Sequence, residues 1–148
     1  MSHNRNQPTA TTKHGEISLD DLGDIQPGLG RLMPEIGERF WILYYAAEGG
    51  NWDLAQYQLN QVRNLFKIGK KTRAHMADHL NAYQQHFVNI EEAIEAEDFS
   101  AFKETFETAT NAANAFHQKT GHAEIEWQLP PEPPKHLNLN IKPKEREL

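Results

Sequence analysis

Apolar side chains recur every three or four residues through four long stretches, and glycine or charged residues punctuate the ends of each. That is the period of one face of an α-helix, so the spacing predicts helices rather than strands. Met33, Ile36, Gly37, Phe40, Leu43, Tyr44 and Ala47 mark a first helix over 31–48. Pro34 falls near its start, where proline is tolerated, and Gly49-Gly50 end it. Asn51 is placed to cap a second helix carrying Ala55, Leu59, Val62 and Phe66, which closes at Gly69-Lys70-Lys71. Thr72 is expected to cap a third over 73–97, with Met76, Leu80, Tyr83, Phe87, Ile90 and Ile94 as its seam. Ser100, or Asp98 two residues earlier, caps the fourth. Its seam is Phe102, Phe106, Ala109, Ala113 and Phe116, and Gly121 stops it.

Short links between such helices predict an all-α fold, an antiparallel up-down-up-down four-helix bundle. At 148 residues the chain is one domain by length, large enough to bury a single core. Residues 1–16 are polar and read as a disordered arm, and 17–30 as a lead-in that completes a bundle unit over 17–122. Residues 123–148 read as an extended tail packing on the bundle, because Leu129-Pro130-Pro131-Glu132-Pro133-Pro134 favours polyproline geometry.

Composition removes several functions. The chain has no cysteine, which excludes disulfides, thiolate metal sites, thioether-linked haem and a cysteine nucleophile. A net charge of −6 argues against nucleic acid and against anionic membranes as partners. The N-terminus lacks the apolar core of a secretory signal and no apolar run is long enough to span a membrane, so a cytoplasmic location is expected.

The histidines are the chemistry-bearing candidates. His75 and His79 stand four apart on one helical face, a reach one metal can bridge, but no further ligand is indicated. No glutamate has a histidine three residues later, which disfavours a di-iron carboxylate site. The acidic runs read as solvated helix faces. The three serines form no nucleophile elbow, and no phosphate loop or dinucleotide fingerprint exists. An enzyme using His117, His122 and a tyrosine for acid–base work therefore has little support.

Two stretches stand out. Phe40-Trp41-Ile42-Leu43-Tyr44-Tyr45 places four aromatics in six residues, covering more than one face of the first helix. Such a cluster serves as core with one flank buried against a helix or the tail, as a dimer surface, or as a pocket wall. Asn111–His122 ends the fourth helix with Phe116-His117 and Gly121-His122. An imidazole there can cap a carbonyl and, protonated, favour the helix dipole.

The order of these pieces resembles a family of small four-helix cytochromes c, similar in architecture to cytochrome c′. The resemblance runs over about residues 33–131. It is carried by Glu35–Ala47, by Gly50-Asn51-Trp52-Asp53-Leu54-Ala55, and by Ala112-Ala113-Asn114-Ala115-Phe116-His117-Gln118 with Gly121-His122, Ile125 and Pro130. In that family the fourth helix bonds haem through Cys-x-x-Cys-His. Here Ala113 and Phe116 stand where the cysteines would be, and only His117 remains. Phe40 stands where the family often has a histidine, and Phe116 is expected to fill haem volume. The resemblance implies a non-catalytic binding or interaction protein without covalent haem and without a cofactor. Phe40, Trp41, Tyr44, Phe116, His117 and His122 are the expected lining of a site for a small apolar ligand. It further implies a homodimer through the first two helices. The alternative is a redox or gas-binding protein holding haem b non-covalently, with His117 as axial ligand.

Overall fold

Six consecutive residues of one helix, Ile42–Ala47, are all buried. A helix that is apolar on every side must be covered on every side, and the rest of the fold supplies the cover. The computed structural model describes residues 8–141. Helix α1 is the short Leu19–Asp24, followed by the long helices α2 (Leu29–Glu48), α3 (Trp52–Thr72), α4 (Ala77–Glu95) and α5 (Phe99–Lys119). Helix α2 packs on α3, α3 on α4 and α4 on α5, and α5 returns against α2. The protein is thus mostly helical. Among the described residues no helix is long and apolar enough to cross a membrane.

The core is the meeting of the four apolar stripes. Phe87, Phe102, Phe106, Leu43, Leu59, Ile90 and Val62 are its largest fully enclosed side chains. Each is a residue of a sequence seam or lies one turn from one. Asn51 Oδ1 accepts from the Leu54 N–H at 3.2 Å, which starts α3. Asp98, not Ser100, caps α5, accepting from the Ala101 N–H at 3.1 Å.

The Thr72 cap is corrected. Thr72 is the last residue of α3, and its buried hydroxyl has no hydrogen-bond partner among the described residues. The chain breaks at Arg73, turns through a short 3-10 helix at Ala74–Met76, and enters α4 at Ala77.

The N-terminal arm is also corrected. Residues 1–7 of it lie outside the described residues, but Thr9–Thr12 (β1) and Gly15–Ser18 (β2) form an antiparallel hairpin with Thr12 opposite Gly15. Gly15 takes φ +125°, a conformation that only glycine adopts without strain, and Thr12 Oγ1 donates to its carbonyl at 2.7 Å.

Beyond α5 the chain runs to residue 141 without helix or strand, with turns and bends along it; residues 142–148 lie outside the described residues. This strap crosses α2 and α5. Trp41 Nε1 donates to the Glu132 carbonyl at 2.8 Å, and the Tyr45 hydroxyl donates to the Pro130 carbonyl at 2.7 Å. The polar tips of two aromatics on α2 are thereby satisfied by backbone carbonyls of the proline-rich segment. Pro134 and Leu139 of the strap are themselves buried.

Candidate functional site

The N-terminal half of α2, the start of α4, the last turns of α5 and the strap do not close on one another. They enclose a cavity of about 580 Å³. Met33, Ile36, Phe40 and Trp41 face it from α2, Leu80 and Tyr83 from α4, and Ala113 and Phe116 from α5. Ile125, Trp127 and Pro130 of the strap form the remaining wall.

Gly37 lets that wall approach. A Cβ there would lie 2.8 Å from Trp127 Nε1, closer than real contacts allow. The tryptophan is fixed from the other side by Asn114. Its side-chain amide donates to the Trp127 carbonyl at 3.0 Å and accepts from the Trp127 N–H at 2.8 Å. Trp127 also meets Phe40 edge-on, with ring centroids 6.2 Å apart.

His117 lies at the cavity's margin. It does not cap a helix carbonyl with its imidazole. That work falls to backbone: the His122 N–H bonds the His117 carbonyl at 2.8 Å, with Gly121 at φ +85° making the turn. The ring instead holds the strap, its Nδ1 lying 3.2 Å from the Ile125 carbonyl. A carbonyl only accepts, so Nδ1 carries the proton and Nε2 of the neutral ring is an acceptor. His122 Nδ1 pairs with the exposed Glu124 at 3.1 Å. The Glu124 carboxyl sits below its ordinary range, held there first by its own backbone N–H and then by His122.

Of the six residues expected to line a site, Phe40, Trp41, Phe116, His117 and His122 border this cavity. Tyr44 does not. It lies one turn beyond Phe40, and its ring packs into the core against Tyr45, Phe99, Phe102 and Phe106 at 5.1–6.3 Å. Phe116, expected to fill volume, borders open space and meets the His79 ring at 5.1 Å. His79 thus faces an aromatic; among the described residues no group of three or more His, Asp or Glu side chains could hold a metal.

Trp127, Gly37, Met33 and Tyr83 are lining residues that the sequence does not single out for a site, and His79, considered there for a metal, lines it as well. Gly37 is the nearest to a signal, since a glycine within an apolar helical stripe implies a close neighbour. Tyr83 is fully engaged. Its hydroxyl donates to the Ala109 carbonyl at 2.6 Å, and burial pushes its pKa far above the ordinary tyrosine value. It stays a neutral donor and is unsuited to proton transfer. Comparison of the chain with protein-family models, with curated proteins and with solved structures finds no match.

Proposed function

We propose that this protein is a non-catalytic binding protein, a cytochrome-like relative without covalent haem, that takes a small apolar ligand into the cavity beside His117. Its frame is read as an antiparallel up-down-up-down four-helix bundle that pairs into a homodimer through α2 and α3. The observation that carries the binding reading is the cavity itself. Its roughly 580 Å³ falls within the range of about 300–1,000 Å³ typical of small-molecule sites, and its wall is mainly apolar and aromatic. The polar groups on that wall are mostly engaged within the protein, which speaks for binding rather than catalysis.

The test is a fluorescence titration with N-phenyl-1-naphthylamine, an uncharged apolar probe. Saturable, stoichiometric enhancement is expected. Ala113→Phe, which puts a ring into the space, should weaken binding at least tenfold with the far-ultraviolet circular dichroism unchanged. Absence of saturable binding to the wild-type chain would remove the reading.

One observation favours haem b as a second reading. A metal-ligating imidazole usually donates its other N–H to a carbonyl or carboxylate, and His117 makes that kind of bond to Ile125. The residues fit the group to this extent: one oriented imidazole and an apolar wall. Haem bound there would supply redox or gas-binding chemistry. Haemin titration should then give a Soret band that His117→Ala abolishes.

A further inference from the structure

We propose that the ligand of this cavity, on the apolar-ligand reading above, is a flat aromatic molecule carrying one neutral hydroxyl, which donates to Nε2 of His117. Most polar atoms on the wall already have partners within the protein. The Tyr83 hydroxyl is spent on the Ala109 carbonyl and Trp41 Nε1 on the Glu132 carbonyl. The Thr120 hydroxyl is spent on the Phe116 carbonyl at 3.0 Å, and Thr110 Oγ1, though without a hydrogen-bond partner among the described residues, is covered by its neighbours. His79 and His122 are exposed at the edge, and His122 is paired with Glu124.

Among the half-buried lining residues, His117 keeps a free acceptor, and the Trp127 indole Nε1–H is a donor without a hydrogen-bond partner among the described residues. A hydroxyl, which can donate to one and accept from the other, suits both. With Nδ1–H committed to Ile125, Nε2 has no partner among the described residues and presents a lone pair. The head group it selects is therefore a hydrogen-bond donor. Charge points the same way. The described lining holds no lysine or arginine, and its one permanent charge is the Glu38 carboxylate. An anionic head would meet repulsion there without a fixed cation. The body of the ligand is set by Phe40, Phe116 and Trp127, whose ring faces and edges suit another flat ring.

Four probes of one shape separate the terms in calorimetric titration of the intact chain: naphthalene, 2-methoxynaphthalene, 2-naphthol and 2-naphthoate. Naphthalene and 2-methoxynaphthalene should bind alike. 2-Naphthol should bind about fivefold to tenfold tighter, the usual worth of one added hydrogen bond. In His117→Phe, which also loses the Nδ1 bond to the strap, the ratio of 2-naphthol to 2-methoxynaphthalene affinity should fall to about one, whatever happens to the affinity of both. The wild-type series stands without the variant, should His117→Phe fail to fold. If 2-naphthol gains nothing over 2-methoxynaphthalene, or if 2-naphthoate binds tightest, the proposed head group is wrong and the apolar cavity remains. If naphthalene itself does not saturate, the cavity reading falls and this proposal with it.

Discussion

Phe106→Ala is expected to cost about 3–5 kcal/mol of folding stability, a large share of what a domain of this kind possesses. Phe106 is 2% exposed. Its ring contacts Phe40 at 5.4 Å, Tyr44 at 5.1 Å, Phe102 at 5.7 Å and Trp127 at 6.2 Å. Removing it leaves a void between α2, α5 and the strap that cannot collapse freely, so the loss includes a cavity cost as well as the transfer cost. Phe116→Ala on the same helix is the matched control. Its ring already borders open space, so deleting it should cost only about 1–2 kcal/mol. Urea denaturation of the two variants measures the difference. Equal losses would mean that the space beside Phe116 is filled in solution, against the cavity described above.

The contrast between these two phenylalanines shows where the sequence speaks and where it does not. Both lie on one seam of α5 at helical spacing, and periodicity gives them the same role. What separates them is tertiary. Phe106 meets α2 and the strap's indole, whereas Phe116 meets the His79 ring of α4 and borders the cavity. The four long helices were legible because each carries its own stripe and its own punctuation, such as Asn51 and Asp98 with their cap bonds. The hairpin at Thr9–Ser18 was not legible. Its strands are four residues each and almost wholly polar, so no alternation marks a buried face, and Gly15 alone gives the turn. The break at Arg73 escaped for a related reason. A threonine before a helical run looks like a cap, and only the geometry shows it ending the previous helix instead.

The site was half legible. Phe40, Phe116 and His117 share a cavity because α2 and α5 pack side by side. Tyr44 fell outside it because one turn along α2 the neighbouring rings of Phe99 and Phe102 close the gap. Trp127 could not have been placed from its surroundings in the chain. It stands in an extended segment without a period, and its position is decided by a side chain thirteen residues earlier.

That side chain gives the other large effect. Asn114→Leu is expected to weaken the docking of the strap by about 2–3 kcal/mol. The substitution keeps the size of the side chain but removes both bonds to Trp127 and leaves a half-buried N–H and carbonyl without partners. In hydrogen exchange the Trp127 amide should open roughly 30-fold to 150-fold more often, while amides in the middle of α3 and α4 keep their protection. Neither of those helices depends on the strap for its own hydrogen bonds, so the effect should stay local. Trp41 and Tyr45 still hold Glu132 and Pro130, which confines the loosening to the segment between α5 and the proline run. That segment carries Ile125 and Trp127, the outer wall of the cavity. Probe affinity should therefore fall along with strap protection. Loss of protection with unchanged probe affinity would place the ligand elsewhere, and unchanged protection would show that packing of the indole over Gly37, rather than the Asn114 bonds, holds the wall shut.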